Sequence, residues 1–137
     1  MMAQDVSFNE IEKRIKEFHF PDADVVVGIA TGGTVPAALV AFQLGLPFHL
    51  IRINYRAPDN QPQHPDPVLY TDLPNIRDTD KILLVDDVSV SGKTFDFAKS
   101  LFTGYKIITF ALKGNAEQVL MPELSTCVNW PWSLTKR

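Results

Sequence analysis

The sequence predicts an α/β fold whose parallel sheet is covered by helices on both faces. Three observations carry that expectation: short β-branched apolar runs recur along the chain, helix-like segments alternate with them, and the 137 residues are 45% hydrophobic and 21% charged. That length and apolar content suit one core, so residues 1–137 read as a single domain, with no internal repeat.

The elements follow in order. SFNEIEKRIKEF, from Ser7, puts Phe8, Ile11, Ile15 and Phe18 on one helical face, with Ser7 and Glu10 at capping-box spacing. Lys13, Arg14 and Lys16 lie mainly on the other side and read as a solvated face. DVVVGIA (24–30) is a strand, stopped by Thr31-Gly32-Gly33 and followed by the helical VPAALVAFQLG with Pro36 near its first turn. FHLIRIN (48–54) and KILLVDD (81–87) repeat the strand signal, and SGKTFDFAKSLF reads as the helix after the second of them. YKIITFAL (105–112) is a fourth strand, AEQVLM (116–121) a short helix and TCVNW (126–130) a fifth strand, which makes Cys127 a buried strand residue. Between Asn54 and Lys81 the rhythm breaks: that stretch holds five of the ten prolines and no glycine, the composition of a lid rather than of core.

Composition excludes several functions. Thirteen basic against sixteen acidic residues give a formal charge of −3, which argues against a broad nucleic-acid or anionic-membrane surface. Cys127 is the only cysteine, so neither an intramolecular disulfide nor a cysteine-rich zinc site can form. No apolar run approaches the ~20 residues of a membrane span, and the N-terminal stretch lacks the apolar core of a signal peptide. A reducing, cytoplasmic setting is the expectation.

The chemistry concentrates in Lys81-Ile-Leu-Leu-Val-Asp-Asp-Val-Ser-Val-Ser-Gly-Lys-Thr94. A buried strand runs into two carboxylates, then a hydroxyl and glycine loop, then a helix start. Val88, Ser89, Val90, Ser91, Gly92, Lys93 and Thr94 can turn backbone N–H groups and hydroxyls toward an anion, and the helix beginning near Gly92 adds the positive end of its dipole. Adjacent strand residues point to opposite faces, so Asp86 and Asp87 can share one crevice only where the strand ends. There they can accept hydrogen bonds from a sugar diol or hold metal-bound water, a combination that suits a ribose 5-phosphate. A Walker A loop is satisfied only in its tail, because Asp87 occupies the first glycine position, and a GxGxxG dinucleotide fingerprint is absent. A buried strand that merely ends in solvent-facing acids leaves the small-residue loop unexplained.

LLVDDVSVSGKT resembles the phosphoribosyl-pyrophosphate (PRPP) signature of type I phosphoribosyltransferases. The resemblance implies that Asp86 and Asp87 meet the ribose hydroxyls and carry the catalysis, and that residues 88–94 hold the 5-phosphate. It also implies a Mg²⁺ cofactor bound mostly to PRPP and reached by Asp86 and Asp87 through water. Gly28-Ile-Ala-Thr-Gly-Gly-Thr-Val-Pro36 is similar to the family's pyrophosphate loop, which would make Thr31, Gly32, Gly33 and Thr34 its residues. Members of the family often carry arginine or lysine where Thr31 stands, which would leave diphosphate binding here to backbone donors. The resemblance covers roughly residues 24–112. It implies a sheet of order 3-2-1-4-5, a flexible loop at 55–79, a hood built from the chain termini, and a homodimer.

The same resemblance frames the substrate. Asn129-Trp130-Pro131-Trp132 is similar to the aromatic segment with which xanthine-guanine phosphoribosyltransferases stack a purine, so Trp130 and Trp132 are candidate base contacts together with Val90. The competing reading packs both indoles over the core or an interface. In the purine branch an aspartate commonly stands three residues after the second acid as general base; here that position is Val90, which cannot take a proton. Orotate enzymes use a loop lysine, and this chain has none between Lys16 and Lys81; Arg56 and Arg77 are the loop's cations, and His64 its one histidine. The expectation is a PRPP-dependent purine phosphoribosyltransferase; the alternative is a catalytically weak PRPP- or nucleotide-binding regulator on the same fold.

Overall fold

The computed structural model describes residues 3–54 and 66–133. In chain order these form β1 (Gln4–Asp5), α1 (Phe8–Glu17), β2 (Val25–Ala30), α2 (Thr34–Leu44), β3 (Phe48–Asn54), β4 (Val68–Leu69), β5 (Lys81–Ser89), α3 (Lys93–Leu101), β6 (Lys106–Gly114), β7 (Gln118–Val119) and β8 (Val128–Asn129). Six strands make the main sheet in the order β4-β3-β2-β5-β6-β7, parallel throughout except for β4 against β3. Counted within that sheet the order is 3-2-1-4-5 with one short edge strand added, and the antiparallel β4 takes third place.

Strand alternation splits the core in two. Val26, Leu83, Val85, Phe110 and Leu112 face α1 and α2, where Ile11, Ile15, Ala37 and Val40 cover them. Val25, Val27, Ile29, Ile82 and Leu84 face the other way, onto Phe95, Ala98 and Phe102 of α3 and its end. The sheet is therefore covered on both faces, as the uninterrupted apolar runs require. In α1, Ser7 Oγ accepts the Glu10 N–H at 3.1 Å, and Ile11 and Ile15 are fully buried, while Phe8 stays largely exposed.

Several expectations change. Residues 116–121 do not form a helix: Gln118 and Val119 pair with Phe110 and Ala111 as an edge strand, held by Glu117, whose carboxylate accepts the Thr109 N–H at 3.2 Å. Residues 126–130 do contain a strand, but it lies outside the main sheet, since β8 pairs in parallel with β1 in a two-stranded sheet that joins opposite ends of the chain. Cys127 is exposed, not buried, because it precedes that small strand, where its carbonyl accepts the Gln4 N–H at 2.8 Å. Trp130 is 5% exposed and belongs to the core, stacked on Trp132 at 5.5 Å, so it offers no open ring face to a base. Arg14 is not simply solvated: it pairs with Glu10 at 2.8 Å and with both carboxylate oxygens of Glu123, clamping α1 to the turn after β7. These hydrogen bonds hold Glu123 below its ordinary carboxylate value.

The long connection is partly body rather than lid. Its first portion, residues 55–65, with Arg56 and His64, lies outside the described residues. From 66 onward it is anchored: β4 pairs with β3, Thr71 Oγ1 accepts the Arg52 N–H at 3.0 Å, and Ile76 is buried in the core, its carbonyl accepting the Tyr105 hydroxyl at 2.5 Å.

Candidate functional site

The sheet's strand order reverses between β2 and β5, and the loops leaving the C-terminal ends of these two neighbours are the two motifs singled out from sequence. In an open parallel sheet this is where a ligand crevice forms. Thr31, Gly32 and Gly33 connect β2 to α2, and the peptide between Ala30 and Thr31 is cis. The loop is wedged among strand ends: a Cβ on Gly33 would stand 2.6 Å from the Ile29 carbonyl oxygen and 2.7 Å from that of Val85. Only glycine fits there. The Gly33 N–H donates to Ile29 O at 2.8 Å and the Thr34 N–H to Thr31 O at 3.1 Å, so the amides of Thr31 and Gly32 are the loop's candidate anion donors.

The second loop is shorter than its sequence suggests. β5 runs through Asp86, Asp87 and Val88 to Ser89, and α3 opens at Lys93, which leaves Val90, Ser91 and Gly92 as the turn. Ser89 is buried, Val90 is 56% exposed, and Thr94 lies half-buried in the first helical turn. Ser91 Oγ accepts the Lys93 N–H at 3.3 Å, and Gly92, at φ +87°, caps α3 without any side-chain cap bond. Left-handed backbone at the cap favours glycine, which offers no side chain of its own to the first turn of the helix.

The two acids converge although they are neighbours on a strand. Asp86 Oδ1 accepts the Asp87 N–H at 2.8 Å, and Asp87 Oδ1 accepts the Val88 N–H at 2.7 Å, so both carboxylates fold back onto the strand end. Burial pushes Asp86 well above the ordinary carboxylate range, and the charge of Asp87 and the bond to it push further. Asp87 also reaches the other motif: a Cβ on Gly32 would lie 2.6 Å from Asp87 Oδ1 and 2.7 Å from Oδ2. The acid strand and the glycine pair thus meet face to face.

That contact tests the metal. Among the described residues no group of three or more His, Cys, Asp or Glu is placed to hold a metal ion. A protein cage is therefore not formed by them, whereas Mg²⁺ usually takes one or two carboxylates and completes its shell with substrate phosphates and water. Two crowded carboxylates beside a candidate diphosphate loop fit that donor set, since an anion entering there needs a cation between it and Asp87.

Two further residues share this edge and were missed from sequence. Lys113, half-buried near the end of β6, stands in register with Val88. Asn115 lies just beyond β6, with its side-chain amide against Gly92. Neither belongs to a motif; only the β5–β6 register brings them to the loop. Trp132 is half-buried, with Phe8 tilted against it at 5.9 Å.

Fold and crevice define a doubly wound α/β protein with two candidate anion loops at its switch point. Residues 6–113 match the phosphoribosyl transferase domain family, and the chain belongs to that family; by that membership it is a transferase. The match extends further toward the N-terminus than the motifs do. Comparison with curated proteins finds no match. Among solved structures, a purine phosphoribosyltransferase from Pyrococcus horikoshii Ot3 is similar at TM-score 0.72 and 21% identity, over 96% of this chain and 95% of that one. A hypothetical protein from Neisseria gonorrhoeae with bound ppGpp gives TM-score 0.72 and 20% identity, over 99% and 93%. The xanthine-guanine-hypoxanthine phosphoribosyltransferase of Helicobacter pylori gives 0.69 and 16%, over 97% and 95%. Among the described residues no helix is long and apolar enough to cross a membrane.

Proposed function

We propose that this chain transfers the phosphoribosyl group of PRPP to a purine base, with release of pyrophosphate, as a purine-salvage enzyme of the cytoplasm. One observation carries the reading: the Asp87 carboxylate lies against Gly32, so the acids and both small-residue loops frame a single crevice. The turn 90–92 and the first turn of α3 hold the 5-phosphate, with Ser91 and Thr94 as hydroxyl donors. Asp86 and Asp87 accept hydrogen bonds from the ribose hydroxyls. Thr31 and Gly32 face the diphosphate, with Thr34 opening the helix behind them. Asp86 and Asp87 would hold Mg²⁺ through water, and the ion would supply charge neutralisation for the diphosphate.

As the base nitrogen bonds to C1, the C1–O bond to pyrophosphate breaks and its electron pair leaves with the diphosphate. The protein supplies mainly position and electrostatics. Val90 holds no proton acceptor, so the proton of the attacking nitrogen goes to water. Lys113 is a half-buried cation suited to a purine carbonyl, and Trp132 is the indole left to the base once Trp130 is assigned to the core.

A homodimer completes the proposal. Helix α2 carries no charged residue, and Phe42 on it is 88% exposed, with Phe48 and Leu50 of β3 also exposed. An exposed apolar patch of this kind, with Arg52 at its margin, can meet its own copy.

The deciding experiment incubates the protein with PRPP, Mg²⁺ and a panel of bases. Nucleotide and pyrophosphate formed with a purine support the enzyme. Saturable PRPP binding without turnover supports the second reading, a nucleotide- or PRPP-binding regulator, which Val90 favours and for which the ppGpp-bound neighbour is a structural precedent. Under the enzyme reading, Val90→Asp raises purine turnover by supplying the absent acceptor.

A further inference from the structure

β5 and β6 end together, with Ser89 in register with Gly114. Gly114 has φ +104°, and a Cβ there would collide with the Ser89 carbonyl oxygen, so the two strands finish in backbone contact. The next residue, Asn115, donates its backbone N–H to that same carbonyl at 2.7 Å. Its side-chain amide then turns onto Gly92, where an added Cβ would stand 3.2 Å from Nδ2. One residue therefore touches both ends of the turn 90–92, its entry through the backbone and its exit through the side chain.

The turn needs such support. It is exposed at Val90 and Ser91, ends in a left-handed glycine that cannot cap α3 with a side chain, and has the 3.3 Å bond from the Lys93 N–H to Ser91 Oγ as its own tie to the helix. Amides that meet a phosphate must already point at it; a turn that samples other shapes loses affinity to its own ordering.

We propose that Asn115 is a positioning residue for the 5-phosphate: by bracing Ser89 and Gly92 at once it sets the span of the turn, and with it the donors that the phosphate meets. This rests on the reading of residues 88–94 as the phosphate loop and adds to it a residue from the neighbouring strand. The side chain suits the task because a neutral amide can lie beside a bound phosphate, whereas a carboxylate of the same shape would repel it.

The test is calorimetric titration of the wild type, Asn115→Ala and Asn115→Asp with ribose 5-phosphate and, separately, with inorganic pyrophosphate, each with Mg²⁺. Asn115→Ala, which keeps the backbone bond and removes the side chain beside Gly92, should weaken ribose 5-phosphate roughly fivefold, the scale of ordering one short turn. Asn115→Asp, which keeps the backbone bond and the side-chain shape, should weaken it more. Pyrophosphate affinity should stay unchanged in both, and in turnover the KM for PRPP should rise while kcat holds, a split that a general loss of structure would not produce. Equal ribose 5-phosphate affinity in all three proteins overturns the inference, as does a parallel loss of pyrophosphate. A wild type that binds neither ribose 5-phosphate nor PRPP overturns the phosphate-loop reading itself, and the inference with it.

Discussion

The loop after β2 and the loop after β5 leave adjacent parallel strands, span three residues each, and end in a glycine that caps the next helix, yet they need that glycine for different reasons. Gly33 sits at φ −85°, a conformation open to many residues, and what excludes a side chain is the carbonyl oxygens of Ile29 and Val85. Gly92 meets only the end of the Asn115 side chain, 3.2 Å from where a Cβ would stand, and what favours glycine there is φ +87°. The first loop is shaped from outside, by the sheet it is wedged into. The second is shaped by its own left-handed cap, with Asn115 beside it. On the proposed reading, the loop that would meet the diphosphate is the one fixed by the sheet, and the loop that would meet the 5-phosphate is the one fixed by its own turn.

The acids between the loops give the largest expected effect. Asp87→Asn should weaken Mg²⁺-dependent PRPP binding by about 100-fold, the scale of losing one member of a hydrogen-bonded charged contact, as titration calorimetry would show. Asp86→Asn should do likewise while raising the thermal midpoint of the unliganded protein by a few degrees, roughly 1 kcal/mol, because it removes a desolvated charge crowded by Asp87. A lower midpoint would mean that the acids support the fold.

Next come the glycines, which test the comparison directly. Gly33→Ala should cost about 3 kcal/mol in denaturant unfolding, since backbone on two strands must move. Gly92→Ala should cost about 1–2 kcal/mol, the penalty for a left-handed residue with Cβ, and leave the rest of the sheet intact. Equal costs would erase the distinction between the loops.

The smallest effect lies away from both loops and serves as a control. Hydrogen bonds from Arg14 lower Glu123, so that clamp adds stability above the ordinary carboxylate range and loses it as pH falls through the depressed value. Glu123→Gln should therefore destabilise by no more than about 0.5 kcal/mol at pH 7, given its exposure, and by nothing in strong acid, with PRPP binding unchanged.

Much of this architecture is legible in the sequence because its signals are local. The apolar runs read at 24–30, 48–54, 81–87 and 105–112 mark the long strands, two of which extend two residues further, to Ser89 and Gly114, and Ser7 with Glu10 marks the start of α1. Residues 116–121 mislead because Ala, Glu, Gln, Leu and Met favour helix, while pairing with β6 and the Thr109–Glu117 bonds impose an extended edge. Trp130 misleads because an indole near the end of the chain reads equally as a platform or as core, and only the arrangement of α1 and β6 decides. The two loops stand out as runs of small residues with acids. Their meeting through Asp87 and Gly32, and the approach of Asn115 to Gly92, depend on strand order, which no local pattern encodes.

The pairing of Gln4 and Asp5 with Val128 and Asn129 closes the chain on itself. Those partners lie 124 positions apart, so closing the pair costs chain entropy, and only two residues on each side hold it shut. Such a pairing opens more readily than the long parallel strands beside it. A purine subsite that uses Trp132 would thus stand on the least protected part of an otherwise fixed framework.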